Sequence, residues 1–502
     1  MDKNNDFDAF IGRFKTALET AFHEQHDINE LSLVRGLPTE VWAVIMQASP
    51  LSVAIPKKYD GRGAVVKECL SLLSAASYES LSLSLTFGIN IALFLEPLAK
   101  YGTPSLKEKV LPGFISGHRM GGLMITEPEF GSDALNMKTA YQSTEGGYAI
   151  KGHKHWQGLT GQADYWLVAA RKDLGNGELA RDVDFFMTDN SQAQQHIQVE
   201  SIYSNLGLYM IPYGLNKIDV KVPNDHRLQP ESTGIKMMLD ILHRSRMQFP
   251  GMGMGFIKRM LDEALFHCTN RVVGTGNLLM LDSVQFQLSR IQTAYTLCSG
   301  MCARSSEISG IAHNLAQEGL EANSMKALVT DLMQESAQLC LQVSGANGYR
   351  ISHIAGRGIV DSRPFQIFEG SNEMLYTQIA EMVLKLMKKQ KEPNFYHFLS
   401  QFGRTNQSAP QFTEYLRFEP ETNIPQRKLV DLGKIVARLI CVQYVLVLTE
   451  KGFREDLVES CLLNMKMDIA HLASNFSLSG RAGLIPEYRD KSDWMDFVGT
   501  AN

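Results

Sequence analysis

The 502-residue sequence predicts an α+β fold: an N-terminal helical domain, a middle β domain, a C-terminal helical bundle and an extra C-terminal helical extension. Three observations carry that expectation. Apolar residues recur at helical spacing up to about residue 120, change to short alternating runs over 121–232, and return to helical spacing over 233–391. Turn clusters separate the short runs, which favours a compact β domain over βαβ units. A tract over 392–425 rich in Pro, Asn, Gln and Ser reads as a linker to the final part, 392–502.

In the first domain, 1–120, Val65, Val66, Cys69, Leu70, Leu72 and Leu73 repeat at helical spacing, and Leu81 to Leu98 continues almost without a polar break. Thr103-Pro104 reads as an N-cap with proline at the first helical position, starting a short helix that stops near Gly117. In the β domain, Thr139–Gln142 and Tyr148–Lys151 flank Thr-Glu-Gly-Gly, a hairpin signal. Tyr165–Ala170, Asp184–Thr188 and the alternation of Ile218, Val220 and Val222 add strands. In the bundle, one helix holds Met237, Met238, Ile241 and Leu242, a second runs over 281–318 and a third over 322–343. Gly345-Ala-Asn-Gly348 breaks the chain, and the helix after Ser371 ends in Lys385, Lys388, Lys389 and Lys391, cations that suit its dipole. Two more helices are expected over 426–451 and 453–477.

Composition narrows the function classes. With 44% hydrophobic and 21% charged residues the chain has ample core material, and a formal charge of −5 argues against a nucleic-acid partner. Seven cysteines lack framework spacing and read as reduced thiols of a cytoplasmic protein; Cys298 and Cys302, four apart on a helix, lack the further ligands of a metal site. The polar start argues against a targeting peptide, and no apolar run approaches 18 residues, so no membrane helix is expected. Gly251-Met-Gly-Met-Gly255 follows no strand, so close helix packing is the better account than a dinucleotide loop.

Two segments carry chemistry. In Phe365-Gln-Ile-Phe-Glu369-Gly-Ser-Asn-Glu373 a carboxylate lies between an apolar approach and a turn that opens a helix. A carboxylate that loses water there gains proton affinity, as a general base requires. Alone, the segment also reads as a helix N-cap with acids near the dipole. Upstream lie Thr126-Glu-Pro-Glu-Phe-Gly-Ser-Asp133 and Gly152-His-Lys-His-Trp156. Gly131 permits close backbone approach, Thr126 and Ser132 offer hydroxyls, and Trp156 suits a flat cofactor face; a Pro/Gly turn and a buried tryptophan are the plain alternatives.

Together, in this order and spacing, these blocks resemble the acyl-CoA dehydrogenase family of FAD-dependent flavoenzymes over about residues 35–390. The resemblance implies that Leu123, Ile125, Thr126 and Ser132 line the flavin and thioester, and that Trp156, followed by Gln157 and Gly158, packs on the isoalloxazine. It implies Glu369 as the catalytic base, Gly370 beside the thioester, and Ser371 and Glu373 near the flavin's nucleotide part. Ser132, Arg246 and Gly370 would contact substrate, while Arg271, Gln342 and Gly345 would reach the flavin of a neighbouring subunit. The other position at which this family carries its base is Ser245 here, which leaves Glu369.

Dehydrogenating an acyl thioester to its trans-2-enoyl product needs a base for the α-proton, donors at the thioester oxygen and a hydride acceptor at the β-carbon, and no metal. The resemblance implies flavin N5 as that acceptor, an electron-transfer flavoprotein as partner, a homodimer or homotetramer, and a place in fatty acid metabolism. The thioester is acyl-CoA or an acyl carrier. Gln157-Gly158 stands where the family has an aliphatic residue and then Thr or Ser, with Thr160 a candidate substitute. That departure keeps open an acyl-CoA oxidase or flavin monooxygenase of the same fold; a non-catalytic flavin-binding scaffold is a third reading, disfavoured by Glu369. The apolar face Val430, Ile435, Val436, Leu439 and Ile440 of the extension is expected to pack on protein and not on a membrane.

Overall fold

The computed structural model describes residues 6–421, 423–478, 480 and 482–499. Its principal helices are labelled α1–α13 and its main-sheet strands β1–β7.

The N-terminal domain contains α1 (Phe7–Glu19), α2 (Val66–Glu79), α3 (Leu81–Tyr101) and α4 (Pro104–Val110). Ser80 caps α3 by accepting from the Leu83 N–H, and Thr103 caps α4 by accepting from the Leu106 N–H, with Pro104 at the first helical position as expected. Helix α3 runs through a π-turn at Ile91–Leu95 and is almost wholly buried. Here the sequence reading needs correction. Among the described residues two helices, α3 and Gln426–Thr449, are long and apolar enough to cross a membrane by length and composition; 94% and 67% of their apolar windows are buried inside this fold, as in core helices.

The β domain is a seven-stranded sheet in the order β1-β4-β2-β3-β7-β6, with β5 paired to β4. The expected hairpin forms from β2 (Ala140–Thr144) and β3 (Gly147–Gly158), with Ala140 opposite Lys151. Strands β4 (Tyr165–Lys172), β5 (Asp184–Asp189) and β7 (Tyr213–Pro223) also lie where alternation placed them. Strands β1 (Gly121–Met124) and β6 (Gln198–Ile202) were not foreseen. β1 is four residues with two glycines, and β6 is exposed throughout, so neither carries a hydrophobic period.

The C-terminal bundle comprises α5 (Gly234–Arg246), α6 (Phe249–Asn270), α7 (Asp282–Ile308), α8 (Gly319–Ser344), α9 (Ile354–Ser362) and α10 (Asn372–Gln390). The helix expected over 281–318 ends ten residues earlier, at Ile308. Buried Arg244 decides that break: its guanidinium donates to the Ser309 carbonyl (2.6 Å) and the His313 carbonyl (2.7 Å). The glycines of Gly251–Gly255 lie inside α6, as the packing reading requires. A Cβ on Gly255 would overlap the Ser74 carbonyl of α2, and one on Gly253 would overlap Val329 of α8.

The stretch 392–425 is not a bare linker. It forms α11 (Phe395–Gln401) and further short turns, with Phe395, Phe398, Leu399, Phe412 and Leu416 buried. Scattered aromatics were hidden within a polar composition. The extension continues as α12 (Gln426–Thr449) and α13 (Glu455–Ser477), packed on the bundle. Buried Glu321 of α8 ties the two together: Arg304 of α7, Arg404 and Tyr444 all donate to its carboxylate at 2.7–2.9 Å.

Candidate active site

Glu369 and Gly370 both have left-handed backbone, φ 53° and 93°, and open the turn that Ser371 joins to α10. A non-glycine residue holds such a conformation only where its surroundings over-determine it. Arg246, the last residue of α5, donates from Nε (3.1 Å) and Nη2 (2.8 Å) to the Glu369 carbonyl, and from Nη1 to Asn323 Oδ1 at 2.7 Å. Lys326 of α8 donates to the Gly370 carbonyl (2.7 Å) and to Asn372 Oδ1 (3.0 Å). Asp331, one turn further along, accepts from Gln366, Asn372 and Tyr376 at 2.7 Å each.

The carboxylate itself is asymmetric. Ser245 Oγ donates to Oε1 at 2.9 Å, whereas Oε2 is buried without a partner among the described residues. Phe249, Phe365 and Phe368 cluster at centroid distances of 4.9–6.1 Å on the apolar approach. Burial raises the proton affinity of Glu369 above the usual carboxylate range, against the opposing pull of Arg246, the Ser245 hydrogen bond and Lys326. Burial likewise brings the Lys326 ammonium down to about 7, although the Glu369 charge works to raise it.

The second segment lies in the β domain. Buried Lys154 donates to the Ile125 carbonyl (2.8 Å) and to Glu127 (2.9 Å), and Glu127 accepts from the N–H groups of Lys138 and Thr139. This pins the loop that carries Ile125, Thr126 and Ser132. Burial brings Lys154 down to about 8, while Glu127 ends below its usual range because Lys154 and those N–H groups outweigh its own burial. Trp156 sits at a β-bulge with φ 60°, backed by Tyr203 at 4.6 Å between ring centroids, and remains 51% exposed. A bulge re-aims the side chain that it carries.

Gln157 points inward and donates to the Thr126 carbonyl at 3.2 Å. Thr160, the candidate substitute hydroxyl, is buried; it donates to the Gln157 carbonyl and accepts from Asn216, so it faces the protein interior. Gly158 lies against α3, where a Cβ would overlap Ile89. The β domain and α9 are fastened together: Leu208 N–H donates to Asp361 at 2.6 Å, and burial pushes that carboxyl up to about 6.

The remaining sequence-predicted residues are more dispersed. Leu123 and Ile125 are partly buried, Ser371 caps α10 without a side-chain bond, and Glu373 is exposed on its first turn. Arg271, at the C-cap of α6, and Gln342 and Gly345, at the end of α8, are exposed, and the Arg271 guanidinium bonds no described residue. They lie on other elements than the Glu369 turn. Arg246, expected at the substrate, is the last residue of α5. It is buried, and its guanidinium is taken up by Glu369 and Asn323.

Sequence reasoning missed Asn323, Lys326, Thr330 and Asp331. Polar residues at helical spacing within an apolar pattern were the available signal. The residues of the β domain suit a flat cofactor with polar edges. The half-exposed Trp156 ring offers a stacking face, Gly131 leaves open space where a Cβ would project, and the Thr126 and Ser132 hydroxyls bond no described residue.

Known proteins share this fold. The mitochondrial very long-chain specific acyl-CoA dehydrogenase of Mus musculus is 24% identical over 366 residues, 72% of this chain but 55% of that protein, so the chain spans about half of that relative's length. The short-chain specific acyl-CoA dehydrogenase of Megasphaera elsdenii is 24% identical over 323 residues, 63% of this chain and 81% of the relative. Among solved structures, an acyl-CoA dehydrogenase complexed with FAD from Bacillus anthracis superposes with a TM-score of 0.74 at 18% identity, covering 95% of this chain and 88% of that one. The family's N-terminal, middle and C-terminal domain models match residues 19–118, 122–219 and 232–384, and on those matches the chain belongs to the acyl-CoA dehydrogenase family.

Proposed function

We propose that this chain is an FAD-dependent oxidoreductase that dehydrogenates an acyl thioester between its α- and β-carbons, with Glu369 as base. The observation that carries this reading is the orphaned, buried Oε2 of Glu369, beside an apolar cluster and one turn from two buried cations. An unpaired carboxylate oxygen in a dry site is a strong acceptor for a weakly acidic proton. In the proposed step Oε2 takes the α-proton while Ser245 keeps Oε1 fixed, so that the side chain does not turn away. The phenylalanines exclude water, which would otherwise level the base. FAD, when bound, accepts the β-hydrogen with its electron pair as hydride. Trp156, Thr126 and Ser132 are the residues that would hold the flavin.

The thioester carrier, CoA or a carrier protein, belongs to this proposal, as do reoxidation by an electron-transfer flavoprotein and assembly with a second copy. A second reading, an oxygen-using member of the same fold, is favoured by one observation. Gly158 and the inward-turned Thr160 leave no side-chain hydroxyl where the resemblance expects one at the flavin.

Anaerobic addition of a panel of acyl-CoAs to the purified yellow protein, followed in the visible spectrum, tests the reading. Bleaching by one or more thioesters is expected, and Glu369→Gln should retain the flavin but stop bleaching. Normal reduction of that variant would refute the base. Rapid reaction of the reduced protein with oxygen would select the second reading.

A further inference from the structure

Lys326 is a cation with no exposed side-chain surface, on a helix that is otherwise core. Burying an ammonium is costly, and an apolar residue of the same size would serve packing better. Its placement gives it another role. Lys326 grips the carbonyl of Gly370 and Arg246 that of Glu369, two consecutive peptides in a left-handed turn. In a trans peptide C=O and N–H point in opposite directions. Drawing both carbonyls towards α8 and α5 therefore turns the N–H groups of Gly370 and Ser371 the other way.

We propose that Lys326 is a positioning residue for the base: by holding the Gly370 carbonyl and the Asn372 side chain, it sets the direction of the Glu369 carboxylate and the field in which that carboxylate gains and loses its proton. The inference rests on the dehydrogenase reading for its chemistry but on the hydrogen bonds for its geometry. Asn372 makes the coupling stiff, because the same side chain also meets Thr330 at 2.9 Å and Asp331 at 2.7 Å. The charged groups facing Lys326 are Glu369 from the turn, Arg246 from α5 and Asp331 from α8 itself. One layer out, Tyr376 of α10 bonds Asp331, and Arg438 of α12 faces both. Glu369 and Asp331 both favour the charged form of Lys326, and Arg246 opposes it.

The sign follows from the charges. Positive Lys326 favours ionised Glu369, and ionised Glu369 favours positive Lys326. Two measurements on the flavin-loaded protein test this. In the first, lysine side chains are labelled with 13C at Cε, and the Lys326 resonance is assigned by its loss in Lys326→Met. Its titration midpoint should move to lower pH in Glu369→Gln; an unmoved midpoint overturns the inference whether or not any thioester reduces the flavin. In the second, flavin reduction by the best thioester is followed against pH in Lys326→Met and Lys326→Gln. The acidic limb should move to higher pH in both, with a loss of about 100-fold in rate for Met and a smaller one for Gln, which keeps a donor.

Superimposable profiles overturn the proposal. So does loss of the flavin or of folding in both variants, since Lys326 would then be supporting the core. Failure of the wild-type protein to react with any thioester refutes the dehydrogenase reading alone and leaves the resonance measurement to decide the inference.

Discussion

Ser245 donates a 2.9 Å hydrogen bond to Oε1 of Glu369 from the residue directly before Arg246, whose guanidinium holds the carbonyl of the same glutamate. One end of α5 thus controls both the backbone and the carboxylate of the proposed base.

Removing that hydroxyl has a definite sign. The bond favours the ionised carboxylate, so Ser245→Ala raises the proton affinity of Glu369 further. The acidic limb of flavin reduction should move to higher pH, and Ser245→Thr should restore it. Stopped-flow reduction across pH 5–9 reads both; an unmoved limb in the alanine variant would show that the bond does not act on the base.

Arg271 lies exposed at the end of α6, and its guanidinium bonds no described residue. Arg271→Ala should leave the stability of flavin-free protein unchanged and lower the flavin retained after desalting. Full retention, measured as the ratio of visible to 280 nm absorbance, would count against a contact to a neighbouring subunit's cofactor.

Asp361 joins the β domain to the helix before the Glu369 turn, with its carboxyl pushed up to about 6 by burial, against the Leu208 N–H and Arg357. Between about pH 4 and 6 the folded protein keeps a proton there that the unfolded chain has lost, so wild-type stability falls as pH rises through that window. Asp361→Asn keeps an acceptor for Leu208 and removes the titration. Its stability relative to wild type should grow from pH 4 to pH 6 by up to about 3 kcal/mol and then level off. A difference independent of pH in urea unfolding would refute the account.

Gly255 is a packing prediction. Its Cα faces the Ser74 carbonyl of α2 with no room for a side chain. Gly255→Val should force α6 and α2 apart and cost about 3 kcal/mol, seen as a lower unfolding midpoint in denaturant. Unchanged stability would mean that the helices repack freely.

The sequence by itself determined the order of helical, β and helical domains and most element positions, because hydrophobic period is a local property of the chain. Glu369, Trp156 and the Thr126 loop were legible for the same reason, since each lies in a short block of distinctive residues. The roles of Ser245, Lys326 and Asp331 were decided only by tertiary structure. They lie 30 or more positions from the turn they serve, and their meaning depends on which side chains the fold buries together. The early end of α7 and the folded stretch 392–425 belong to the same class: a buried arginine collecting distant carbonyls, and scattered aromatics finding a common core, are long-range events that no local pattern encodes.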